Sequence, residues 1–204
     1  MNKHQQKTEA TKQRLLRAAR QIFARDGFDA ARIEDIAAKA GFTRGAFYAN
    51  FSTKEDLFFA LLEQQSTQHM ERLRGLMEAC SNEQERLEAL RTYYATRAAD
   101  KQWSILVLEF KLFALRHAKL RAKLAEAHRR IRTKMKLEGI QCLLPAQLQR
   151  PQKSKELRKI VLEALLNGLM LEHAYDPKAI TGDQVTAILG KLFDTLFRRL
   201  DLIP

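Results

Sequence analysis

A chain of 204 residues with 46% hydrophobic and 29% charged residues has the balance of a folded protein of one large or two small domains, not of a disordered one. Four prolines and eight glycines favour helices, and no apolar run approaches the ~20 residues that span a bilayer. The polar start MNKHQQKTEATKQR lacks the apolar core of a signal peptide, which predicts a cytoplasmic protein with no membrane partner.

The apolar periodicity predicts an all-α fold of nine helices. The first is expected over about residues 8–26, with Leu15, Ala18, Ala19, Ile22 and Phe23 on one face and Asp26-Gly27 at its end. Two short helices follow at about 33–40 and 44–50, then a long one from Lys54 to about 80. Ser81-Asn82 reads as a turn and cap for a helix over about 83–99. Residues 102–115 are apolar almost all round, as in a helix buried in mid-domain. A basic helix to about 141, a loop over 145–153 (PAQLQRPQK) and two closing helices at about 155–174 and 182–201 complete the chain. Cys80 and Cys142 suit neither a disulfide framework nor a metal site. Both are read as reduced packing residues, with redox sensing as the alternative.

Residues 33–58, IEDIAAKAGFTRGAFYANFSTKEDLF, carry the most chemistry. Ile33, Ile36, Ala37 and Ala40 make one apolar face. Gly41 stops that helix, because glycine takes left-handed dihedrals at little cost. Thr43 can cap the next helix, which buries Phe47 and Phe51 and leaves Arg44, Gly45, Tyr48, Ala49 and Asn50 outward. This is helix-turn-helix geometry. Arg44 can fork onto guanine and Asn50 can pair with adenine. Gly45 permits close approach to base edges, and Thr43, Tyr48 and Lys54 suit phosphate oxygens. The alternative is a plain helical corner whose polar residues face water.

The ordered string resembles the tetracycline-repressor family of bacterial transcription regulators. That family's pattern runs apolar, two polar, Ile-Ala, then Gly-apolar-Ser/Thr-basic-Gly, a Tyr, a Phe and Lys-Glu-x-Leu. The likeness covers about residues 8–60. It implies an N-terminal three-helix DNA-binding domain, 1–53, and a larger C-terminal helical domain, 54–204, for effector binding and dimerisation. Arg32, Thr43, Arg44, Gly45, Tyr48, Ala49, Asn50 and Lys54 are then the expected DNA contacts. Ala31 and Arg32 stand where the family often has Thr or Ser, so a cap is lost and Arg32 can replace only its phosphate contact. Ala49 and Asn50 stand where aromatic residues or His are frequent, so no relative's operator can be borrowed.

The net charge of +12 is uneven: +5 over residues 1–50, −3 over 51–100, +9 over 101–150 and +1 thereafter. The basic DNA-reading segment fits phosphate attraction. The larger excess, from Arg116 to Lys136, reads as a solvated helix face, as attraction to an acidic ligand or flanking DNA, or as a membrane-surface helix.

One recognition helix contacts too few base pairs, so a homodimer on a palindromic site is expected. Its interface falls on Ile160, Val161, Leu165 and Gly168 of one closing helix and Ile188, Leu189, Leu192, Phe193 and Leu196 of the other. Trp103, Leu106, Phe110 and Phe113, with Gln65, Tyr93, Met170 and His173, could line an apolar effector pocket with a few polar points. Plain core is the alternative for that stripe, and Glu109 within it could pair with an arginine. No catalytic, cofactor or metal motif is present. The reading is therefore a ligand-released repressor. The alternative is a DNA-bound protein of the same fold that senses no metabolite and holds a protein partner.

Overall fold

The computed structural model describes residues 2–96, 100–137 and 153–197, and the regular elements among them are all helices. In chain order these are α1 (Lys3–Ala30), α2 (Ile33–Lys39), α3 (Arg44–Tyr48), α4 (Lys54–Glu78), α5 (Glu83–Thr96), α6 (Lys101–Leu115), α7 (Ala118–Leu137), α8 (Lys153–Tyr175) and α9 (Gly182–Phe197). Of the loop expected over 145–153, only Lys153 is described, and it opens α8; the expected end of the basic helix and Cys142 lie outside the described residues.

Local chemistry sets most boundaries. Gly27 (φ 78, ψ 169) breaks the helical path of α1, so the run Phe28–Ala30 is a separate short turn. The Asn82 side chain accepts from Glu85 N at 2.9 Å, while Glu85 accepts from Ser81 N at 2.7 Å. The same reciprocal pattern opens α9: Thr181 Oγ1 accepts from Gln184 N at 3.3 Å, and Gln184 accepts from Thr181 N at 2.8 Å. Such capping boxes satisfy helix N–H groups that lack intrahelical acceptors. The α9 box is written in the sequence as Thr181-Gly182-Asp183-Gln184.

The chain divides into two compact units. The first comprises Met1–Thr67 with Leu106–Ile131, and the second Gln68–Ile105 with Arg132–Pro204. The first unit is larger than the N-terminal 53 residues because a three-helix segment that small cannot cover its own aromatic residues. Phe28 is fully buried, and Phe23, Phe58 and Phe110 stand within 5.4 Å of its ring, centroid to centroid. Phe58 and Phe110 stack at 3.9 Å. The beginning of α4 and the end of α6 thus complete the core beneath α1–α3. Leu15, Ala18, Ala19, Ile22 and Phe23 of α1 are all buried there, as their spacing requires.

In the second unit, Met70, Leu73, Met77, Leu87, Leu90, Leu162, Phe193 and Leu196 form one buried cluster. Ala95, Leu166, Met170, Val185 and Leu189 form another. Arg91 lies across Gly190 of α9, where a β-carbon would come within 2.7 Å of its guanidinium, and meets Asp194 at 3.2 Å.

Candidate nucleic-acid interface

α2 and α3 are joined by a turn that backbone bonding makes rigid. Gly41 (φ 74) lets its own N–H reach Ala38 O and that of Phe42 reach Ala37 O, both at 2.9 Å. These bonds satisfy the last carbonyls of α2. Thr43 caps α3, accepting from Ala46 N at 3.3 Å. Phe47 is fully buried and Phe51 nearly so, which fixes the rotation of α3 about its axis. That rotation leaves Thr43, Arg44, Gly45, Tyr48 and Ala49 exposed on one short helix. A β-carbon at Gly45 would touch only Thr43 Oγ1, at 3.7 Å, so the surface there is flat and open.

Arg44 is held before any DNA arrives. Its guanidinium meets Glu34 at 3.0 Å and donates to the Tyr48 hydroxyl at 3.3 Å. The Tyr48 hydroxyl first, and Glu34 after it, hold the guanidinium above its ordinary pKa. Arg32, the residue before α2, is exposed and makes no side-chain cap bond.

Two expected DNA contacts are turned elsewhere. Asn50 donates to Ala46 O at 2.8 Å, and its other amide atom is buried without a partner. Lys54 donates to Asp29 O at 2.8 Å and Ala31 O at 3.0 Å, and sits 4.8 Å above the Phe28 ring. Burial pushes the Lys54 ammonium below its ordinary pKa, while Asp29, Glu55 and Glu109 pull the other way.

The family of bacterial regulatory proteins, tetR family, matches residues 15–61, and the C-terminal region of BetI-type transcriptional repressors matches residues 83–198. The chain belongs to the tetR family. The transposon Tn10 TetC protein of Escherichia coli is 39% identical over 64 residues, 31% of this chain and 32% of that protein. The chain thus matches a third or less of the length of such curated relatives. Two solved structures share the fold along nearly the whole chain. FadR of Bacillus subtilis, in complex with stearoyl-CoA, is 18% identical with a TM-score of 0.62, covering 91% of this chain and 97% of that one. A transcriptional regulator of Saccharomonospora viridis, in complex with choline, is 21% identical with a TM-score of 0.65, covering 95% and 97%.

In this tetR-family regulator the residues expected to line an effector pocket divide between the two units. Leu106 and Phe110 are buried in the first unit, where Phe110 and Phe113 pack on Phe28. Gln65 is buried in the same unit. The rings of Phe110 and Phe113 belong to the aromatic core around Phe28. In the second unit Met170 belongs to an apolar cluster, His173 Nδ1 bonds to Ile180 O at 2.8 Å, and Trp103 is half-buried. Tyr93 shares a 2.8 Å hydrogen bond with His69 Nδ1, a partner the sequence did not single out.

The dimer residues also divide. Leu189, Phe193 and Leu196 are buried in their own subunit, with Val161 and Leu192 packed against the same clusters. Ile160, Leu165, Gly168 and Ile188 are exposed. On α8, Ile160, Ala164, Gly168, Leu171 and Tyr175 follow one another at helical spacing, all exposed. The basic residues Arg116, Lys119, Arg121, Lys123, Arg129 and Arg130 are exposed in the first unit, where Lys123 meets Asp56 at 3.7 Å and Arg130 meets Glu63 at 3.1 Å. The side chains of Arg132, Lys134 and Lys136 lie outside the described residues.

Proposed function

We propose that this tetR-family regulator is a homodimeric repressor that grips a palindromic operator with α3 of each subunit and releases it when a small apolar or amphipathic effector binds. The observation that carries the reading is the exposed face of α3, where Arg44, Gly45, Tyr48 and Ala49 surround no core of their own. Arg44 is the base reader, because its planar fork matches O6 and N7 of guanine. Thr43, Tyr48 and Arg32 take phosphates, which set register. Asn50 and Lys54 act within the fold.

The exposed apolar stripe of α8, with Ile188 of α9, supports the dimer, since contiguous apolar surface of this kind marks an interface. The Tyr93–His69 pair beside Met70, Leu73 and Met77 supports an effector site of apolar walls and few polar points. The stearoyl-CoA complex of the Bacillus subtilis protein makes an amphipathic acyl compound the first class to try. An effector acts only through its differential affinity for the DNA-competent and the released dimer.

Selection from a random duplex library tests the first half. An inverted repeat is expected, with half-sites about 34–36 Å apart. A recovered site without dyad symmetry removes the dimer on DNA. Stearoyl-CoA and choline, titrated against the free protein while the emission of Trp103 and release of the selected duplex are followed, test the second half. Binding of either without release of DNA counts against effector control by that class.

A further inference from the structure

The segment Gly27–Ala31, which joins α1 to α2, is gripped from both sides within the first unit. Glu109 of α6 accepts from Phe28 N at 2.7 Å, with Asp29 N further away at 3.5 Å. Lys54 at the start of α4 donates to Asp29 O and Ala31 O at 2.8 and 3.0 Å. One side chain therefore accepts from the amides of this turn, and the other donates to its carbonyls.

Each part is specific to that task. Glu109 interrupts the apolar run of α6 between buried Leu106 and Phe110. A carboxylate half-buried there is costly unless it is hydrogen-bonded. Gly27, with φ of 78 and ψ of 169, breaks the helix there, and the amides of Phe28 and Asp29 that follow it face the Glu109 carboxylate at 2.7 and 3.5 Å. A β-carbon at Gly27 would stand 2.6 Å from Glu109 Oε1, so any other residue there would displace this carboxylate as well as strain the dihedral.

The grip matters because α2, although its Ile36 and Ala37 are buried, has no side-chain N-cap. Its preceding residue is Arg32, which makes no cap bond, and the covalent path into α2 is this turn. α2 and α3 form one rigid piece through the Gly41 turn. We propose that Glu109 and Lys54 are positioning residues for DNA reading, setting the pose of the α2–α3 pair through the Gly27–Ala31 backbone. The proposal rests on α3 being the base reader.

The test compares native protein with Glu109→Gln, Glu109→Leu and Lys54→Met, each checked for native helicity and melting. The quantity read is the ratio of affinity for the selected operator to affinity for random duplex at one salt concentration. Glu109→Leu should lower that ratio about tenfold or more, as loss of a charge-assisted hydrogen bond implies. Glu109→Gln, which keeps an oxygen acceptor, should retain it within roughly threefold. Lys54→Met should lower the ratio while leaving the salt slope unchanged, whereas a lost phosphate contact lowers the slope by about one. The Phe28 amide proton reports the hydrogen bond itself: its chemical shift should move in Glu109→Gln, where a neutral acceptor replaces the carboxylate. An unchanged ratio in Glu109→Leu overturns the proposal. If that variant does not fold, a Phe28 amide unaffected by Glu109→Gln overturns it. A native protein with no preference for any sequence removes base reading by α3 itself, and the positioning role with it.

Discussion

Arg44 shows how a residue's chemistry and its surroundings act together. Its fork is engaged by Glu34 and Tyr48 and yet remains well exposed, with 61% of its side chain open. On the proposed reading it exchanges the Glu34 carboxylate for a base edge on DNA, and both states satisfy its donors. Arg44→Ala should cost ~1–3 kcal/mol of specific affinity and relax preference at one operator position. Competition between single-base operator variants measures this; a uniform loss with every preference intact would make Arg44 a phosphate contact. Asn50 illustrates the opposite case. Its amide has the groups to read adenine, but a hydrogen bond to Ala46 O spends the NH2 within the helix.

The α2–α3 corner depends on two small features. Gly41 holds a left-handed conformation, and a β-carbon on it would lie 2.7 Å from Arg14 Nη2. Gly41→Ala should lower unfolding free energy by ~1–3 kcal/mol, because both backbone strain and displacement of Arg14 from its place over Phe42 are incurred. Thr43→Ala should cost ~0.5–2 kcal/mol through loss of the cap. Urea unfolding of the two variants checks both, and a Gly41→Ala protein as stable as the native one would show that the turn relaxes freely. These elements were legible in the chain because a helix stop or cap is decided within one turn of backbone. Thr43, Gly41 and the buried Phe47 were all read at their correct places. α1 was expected to begin at about residue 8, but its polar first turn carries no apolar period and the helix opens at Lys3.

At the scale of the molecule, the stripes of α8 and α9 separate into a face that packs inward and a face left open. Leu171→Asp or Ile160→Asp should weaken the dimer at least about tenfold while the subunit stays folded, since a charge there loses apolar contact without burying in the core. Leu189→Asp, in contrast, places its charge among Ala95, Leu166 and Met170 and should unfold the subunit. Sedimentation velocity with circular dichroism distinguishes the cases, and an intact dimer in both α8 variants would remove that face from the interface. The amphipathic periods alone determined which residues are apolar and on which helix. They could not say which apolar face meets its own chain, because that depends on neighbours far away in sequence. The same reason explains Phe110, whose stripe reads equally well as pocket wall or core until Phe28 and Phe58 are seen against it. By itself the sequence determined the helix-turn-helix, the Thr43 cap and the outward residues Arg44, Gly45, Tyr48 and Ala49, products of spacing over a few residues, but not the inward turn of Asn50. Only the tertiary structure decided that Lys54 turns to carbonyls 23 and 25 residues away and Glu109 to an amide 81 residues away. A charged group goes to whichever partner satisfies it in a partly buried site, and a linear pattern does not contain that partner.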